Sequence, residues 1–213
     1  EKRLENLVDG VSASVFRGRM HPVTMAARLV RQLDFIASDA GADPTIPNDL
    51  TVVVNPADLD PEVDVDDLEV ELASVVEEAA LENGWNLVGP VEVHVATSGD
   101  VPRGILQVAG DEMRGVLPPW GQLIAEDGSA VVPLTMNRNL IGRALDCDIR
   151  FANSEVSRHH AVISRTVDLV EVRDLGSSNG TAVNGDLVTD AVAIAPGATV
   201  TLGGLSFTYR SVA

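Results

Sequence analysis

Ser178-Asn179-Gly180-Thr181-Ala182-Val183-Asn184-Gly185 places two tight-turn dipeptides on either side of a short β-type run. Gly accepts a positive φ at no steric cost and Asn tolerates it, so Asn179-Gly180 and Asn184-Gly185 read as turns between strands. Two further clusters lie upstream, Gly142-Arg143 and Ser157-Arg158-His159-His160, each set in β-type sequence. From Trp120 onward the chain alternates short strands with Gly, Asn and Asp turns. The expected strands are 122–125, 130–134, 140–141, 149–151, 161–165, 169–174, 181–183, 191–194, 199–202 and 205–210. Regular short strands with frequent turns predict an all-β sandwich, and the polar clusters fall in its loops, the usual place for recognition residues.

In this order and spacing the clusters resemble the forkhead-associated (FHA) domain, a module that binds phosphothreonine in partner proteins. The resemblance implies a phosphothreonine site built from Arg143, Ser157, Arg158, Ser178 and Asn179. Gly142, His160, Gly180, Thr181, Asn184 and Gly185 are implied as its structural support. The residue types suit the task. A phosphothreonine carries nearly two negative charges and three strong acceptor oxygens, and the Arg143 guanidinium is a forked donor that keeps its proton. The Ser157 hydroxyl and nearby main-chain N–H groups are small neutral donors. Asn179 has both donor and acceptor on a short side chain and suits the backbone of an extended peptide. Glu155, in the loop that by resemblance faces peptide residues C-terminal to the phosphothreonine, is a specificity candidate expected to disfavour acidic ones.

Blander readings stand beside these. Gly-Arg is commonly a solvated turn, and Asn-Gly commonly only a hairpin turn. Asn179-Gly180-Thr181 also fits a glycosylation sequon, which matters only in a secreted protein. His159 and His160 would form a metal pair only if their rings converged, and adjacent strand residues point to opposite faces. Ser157, His160 and Asp174 could be written as a hydrolytic triad. However, the chain has no Walker loop, Rossmann glycine set or metal-ligand spacing. The expectation is therefore no enzyme, no cofactor and no metal.

The net charge of −17 argues against a nucleic-acid partner, because phosphate backbones require clustered Lys and Arg. Residues 1–110 hold 20 acidic and 7 basic residues, and residues 111–213 hold 12 and 8. The less acidic half is thus the one expected to bind an anion. Cys147 is the only cysteine, which excludes an intrachain disulfide and fits a reducing cytoplasm. No apolar run reaches the ~18–20 residues of a membrane helix, so no direct membrane insertion is expected. The chain opens at Glu1 inside helical sequence and reads as a fragment.

The N-terminal half predicts an α/β domain of order α-α-β-α-β-β. Leu4, Leu7, Val8, Val11 and Val15 recur at helical spacing. A second helix starts at Pro22 and runs through Met25, Leu29, Leu33 and Ile36 to Ala40-Gly41. A strand is expected over 50–55. The acidic stretch 58–71 reads as a loop and helix start, stopped by Gly84, with further strands over 88–96 and 104–108. Glu1-Lys2-Arg3-Leu4-Glu5-Asn6-Leu7-Val8, His21-Pro22 and Val52-Val53-Val54-Asn55-Pro56 resemble the N-terminal domain of FhaA-type proteins of actinobacteria, whose role is undefined. The expected organisation is an α/β domain over 1–110, a short linker over 111–119 and an FHA domain over 120–213. The resemblance implies a cytoplasmic, non-catalytic adaptor for Thr-phosphorylated proteins. It would act downstream of a Ser/Thr protein kinase, with cytoplasmic segments of cell-wall-synthesis membrane proteins as further partners. A scaffold acting through the N-terminal domain is the alternative.

Overall fold

The computed structural model describes residues 20–40 and 44–212. The helix expected through Leu4 to Val15, and the Gly41 stop, lie outside the described residues. The chain forms two compact units that adjoin in sequence between Val116 and Leu117.

In the N-terminal unit, helix α1 (Pro22–Ala40) starts at a proline, whose missing N–H is harmless in a first turn. Its stripe of Met25, Ala26, Leu29, Leu33 and Ala37 is buried, the pattern of a helix with one face on a core. Strand β1 (Asp49–Val54) buries Leu50, Val52 and Val54 in alternation. Helix α2 (Val65–Asn83) is capped by Asp64, whose Oδ1 accepts from the N–H groups of Asp66 and Asp67 at 3.0 and 3.4 Å. Asp66 and Asp67 in that first turn meet the positive end of the helix dipole. The acidic stretch is therefore a loop and a capped helix start. Gly84 ends the helix with φ +69°, a conformation that glycine adopts freely.

Strand β2 (Glu92–Thr97) runs parallel to β1, and β3 (Leu106–Asp111) runs antiparallel on its other side, in the order β2-β1-β3. Both outer strands start later than the sequence pattern predicts. Before β2, Gly89 lies so close to the 113–115 backbone that a Cβ there would sit 2.3 Å from the Met113 carbonyl oxygen. Before β3, Gly104 has φ +74°, donates its N–H to Asp58 Oδ2 at 2.6 Å and accepts from the Arg28 guanidinium. These backbone groups serve loop contacts instead of the sheet ladder. The stretch expected as linker is fastened in its first half: Asn48 exchanges two hydrogen bonds of 2.9 Å with Met113, and the Gly115 N–H donates to Val88 at 3.0 Å.

The C-terminal unit contains eleven strands in two sheets. One sheet has β4 (Gly121–Ala125), β5 (Val131–Leu134), β10 (Thr181–Val183), β11 (Asp186–Leu187), β13 (Thr199–Leu202) and β14 (Leu205–Ser211), in the order β11-β10-β13-β14-β4-β5. The other has β6 (Arg138–Gly142), β7 (Ile149–Arg150), β8 (Ala161–Arg165), β9 (Val170–Asp174) and β12 (Val192–Ile194), in the order β12-β9-β8-β6-β7. Leu123, Leu134, Val200, Leu202 and Phe207 from the first share one buried cluster with Ile141, Ile163 and Val172 from the second. Such side chains each contribute roughly 1.5–3 kcal/mol on burial. At its edge, Trp120 stacks edge-on to Tyr209 at 6.5 Å and carries the Arg165 guanidinium 5.2 Å over its ring.

Strand β11 is one more than the sequence pattern predicts. It pairs with β10 through Asn184 and Gly185, which have φ of 52° and 91°. Two positive φ values in a two-residue loop define the type I′ hairpin that Asn-Gly favours.

Candidate functional site

Three loops at one end of the sandwich enclose a cleft of about 780 Å³. The turn after β6 supplies Arg143, the loop before β8 supplies Glu155, Ser157 and Arg158, and the loop before β10 supplies Ser178 and Asn179. All five residues expected to bind phosphothreonine, together with the specificity candidate Glu155, line this one cleft.

Gly142 explains how the first two loops meet. A Cβ there would lie 2.0 Å from the Arg158 carbonyl oxygen and 2.8 Å from Cys147 Sγ. Only a residue without a side chain fits that approach. It permits the Arg143 N–H to donate to Ser157 at 3.0 Å and the Ala144 N–H to Arg158 at 3.1 Å. The exposed Arg143 and Arg158 side chains are thereby rooted on a fixed backbone.

His160 joins the second loop to the third. Its ring is completely buried. Nδ1 accepts the Ser157 main-chain N–H at 3.0 Å, so the proton is on Nε2, which donates to the Gly180 carbonyl at 3.1 Å. The two histidines do point apart, as the sequence implies, though not because they alternate along a strand. Both precede β8, and the loop turns His160 inward while His159 stays half-exposed against Asp146.

Further bonds align the functional atoms. Ser157 Oγ accepts the Ser178 N–H at 3.0 Å, which leaves the hydroxyl proton to be donated. Asn179 Nδ2 donates to the Glu155 carbonyl at 2.9 Å, so one amide hydrogen is committed to the protein while Oδ1 and the second hydrogen remain. Gly180 has φ +79°. The buried Thr181 donates its hydroxyl to Asp174 Oδ2 at 2.6 Å. Asn184 Oδ1 accepts the Thr199 N–H at 2.9 Å, holding the β10–β11 turn to the sheet.

Two supports escaped the sequence reading. Asp174 accepts from the Ser177 hydroxyl at 2.6 Å and from the N–H groups of Gly176 and Ser177 at 2.8 Å, as well as from Thr181. Burial raises its pKa, but these hydrogen bonds outweigh it and hold the carboxyl below its ordinary value. The spacing of Asp, Ser and Thr around Gly176 was the available signal. The second support is Gly203-Gly204, the turn between β13 and β14. A Cβ on Gly203 would lie 2.4 Å from the Glu155 carbonyl oxygen, and the Glu155 carboxylate leans over Gly204.

The hydrolytic arrangement of Ser157, His160 and Asp174 is not wired as one. His160 bonds the Ser157 main chain and not its Oγ, and its other nitrogen bonds Gly180. The structure brings together one group of potential ligand side chains that the sequence reading did not single out. Asp146, Cys147 and His159 offer ligand atoms within 4.8 Å of one another. Sequence spacing concealed the group because His159 is thirteen residues from Asp146. No helix among the described residues is long and apolar enough to cross a membrane.

The sequence profile of the FhaA N-terminal domain matches residues 1–109, and that of the FHA domain matches residues 139–203. The ABC transporter ATP-binding/permease protein Rv1747 of Mycobacterium tuberculosis is 44% identical over 69 residues, which is 32% of this chain and 8% of that protein. The transcriptional regulatory protein EmbR of the same species is 37% identical over 78 residues, covering 37% of this chain and 20% of EmbR. The chain thus spans a fifth or less of these curated relatives. Among solved structures, the FhaA FHA domain complexed with the intracellular domain of Rv3910 is 33% identical, with a TM-score of 0.39 over 42% of this chain and 99% of that one. With the FhaA N-terminal profile over more than half its length and an FHA domain behind it, the chain belongs to the FhaA N-terminal domain family.

Proposed function

We propose that this chain is a non-catalytic adaptor that binds phosphothreonine segments of partner proteins through the cleft of its FHA domain, residues 120–213. One observation carries the reading. A guanidinium on an anchored backbone (Arg143), an oriented hydroxyl (Ser157) and an amide (Asn179) from three different loops line a single cleft. A dianionic phosphate with three acceptor oxygens meets both a charge-assisted donor and a neutral one there, and Asn179 is left to hold the peptide backbone. Arg158 and Ser178 complete the rim. The partners are Thr-phosphorylated proteins made by a Ser/Thr kinase in the cytoplasm, with cytoplasmic segments of cell-wall-synthesis membrane proteins among them.

Titration calorimetry with matched phosphothreonine and unphosphorylated peptides tests this. Only the phosphorylated peptide should bind. Arg143→Ala should weaken it about a hundredfold, since hydrogen bonds to charged groups contribute about 1.5–3 kcal/mol each. Unchanged affinity in Arg143→Ala would end the assignment.

A further inference from the structure

The turn before β7 and the loop before β8 bring together three side chains that the phosphothreonine site does not use. His159 Nε2 lies 2.9 and 3.0 Å from the two carboxylate oxygens of Asp146. Cys147 Sγ reaches the Arg158 carbonyl at 3.2 Å. The carboxylate, sulfur and imidazole ligand atoms all lie within 4.8 Å of one another.

We infer that Asp146, Cys147 and His159 form a binding site for a zinc-like divalent cation at the rim of the cleft. The donor set selects the metal. Thiolate and imidazole suit Zn²⁺, whereas Mg²⁺ and Ca²⁺ require an all-oxygen shell. The geometry also fits. Tetrahedral bonds of about 2.0–2.3 Å place ligand atoms about 3.3–3.8 Å apart. From within 4.8 Å of the other two ligand atoms, the sulfur reaches that range by rotating inward by about 1 Å, and Asp146 and His159 must separate by about 0.5 Å to admit the ion between them.

The charge balance is favourable. Aspartate and thiolate neutralise the ion, and the thiol proton leaves to solvent on binding. Burial, reinforced by Asp146 and Asp148, holds the free thiol pKa above its ordinary value. The scaffold is fixed by the missing side chain of Gly142, which admits both Cys147 Sγ and the Arg158 carbonyl. Three protein ligands leave a fourth position open. Asp146 and His159 also line the cleft together with Arg143.

The test titrates the metal alone into the untagged full chain, so it stands apart from the phosphothreonine reading. Co²⁺ should bind at one equivalent with a thiolate-to-cobalt charge-transfer band and a tetrahedral visible spectrum, and Zn²⁺ should displace it. Cys147→Ser should abolish the band. His159→Gln and Asp146→Asn should each weaken binding at least tenfold to a hundredfold, the range already typical of outer-shell changes. Arg143→Ala should bind Co²⁺ as tightly as wild type or more so, and circular dichroism should report the same fold in all variants. The site is overturned if no charge-transfer band appears, if Cys147→Ser binds unchanged, or if Mg²⁺ competes as well as Zn²⁺.

Discussion

His160 Nδ1 accepts the main-chain N–H of Ser157 at 3.0 Å, and this bond sets the loop that presents the Ser157 hydroxyl. The same ring donates from Nε2 to the Gly180 carbonyl, so one buried side chain spans two of the three loops of the cleft. His160→Ala strands both main-chain groups, at about 1–3 kcal/mol for each unsatisfied group. Chemical denaturation should show that loss. Phosphopeptide affinity should also fall, although His160 does not line the cleft. A variant with wild-type stability and affinity would refute this coupling.

Ser157 Oγ serves two partners, the Ser178 N–H and, by our proposal, a phosphate oxygen. Ser157→Ala should weaken phosphopeptide binding roughly tenfold, about one charge-assisted hydrogen bond. It should do so with a smaller stability change than His160→Ala, because Ser178 is exposed and water replaces the lost acceptor. Calorimetry and thermal melts on the same samples compare the two effects.

Lowering the pH should weaken phosphopeptide binding through the ligand. The second phosphate ionisation lies near pH ~6, so the peptide loses charge between about 7.5 and 5.5. Added salt should weaken binding only modestly, since a single anion is engaged and not a row of phosphates. A salt slope as steep as that of a DNA-binding protein would contradict a one-phosphate site.

Asp174 ties stability to acid. Its carboxyl is held below the ordinary carboxylate value, so its contribution is complete above the unfolded pKa of ~3.9 and is lost as pH falls through the lower folded value. Asp174→Asn removes the carboxylate that the Ser177 and Thr181 hydroxyls bond. At neutral pH it should destabilise the domain by about 1–3 kcal/mol. The gap from wild type should narrow in denaturation curves below pH ~4. A gap that stays constant into acid would show that the carboxylate charge is not responsible.

Glu155 is exposed and lines the cleft, with its carboxylate over Gly204. Acidic peptide residues C-terminal to the phosphothreonine should be disfavoured, by about 0.2–1 kcal/mol for an exposed pair. Glu155→Arg should reverse the bias in an oriented peptide library. Identical library profiles would remove Glu155 from the specificity account.

Local chemistry made much of this protein legible from sequence. The turns at Asn179-Gly180 and Asn184-Gly185 follow from glycine's freedom at positive φ, which the structure places at +79° and +91°. The stripes of α1 and α2 follow from helical periodicity, because one face must leave water. Arg143, Ser157 and Asn179 could be chosen as donors because charge and hydrogen-bonding capacity belong to the side chain itself. Tertiary structure decided what depends on approach between distant segments. Gly142 matters because the Arg158 carbonyl and Cys147 sulfur occupy the space its side chain would fill. Asp174 matters because Ser177 and Thr181 turn their hydroxyls toward it. Asp146, Cys147 and His159 form a group only because two loops close on each other. Periodicity and turn preference act over a few residues, whereas these contacts are set by packing between strands far apart in the chain.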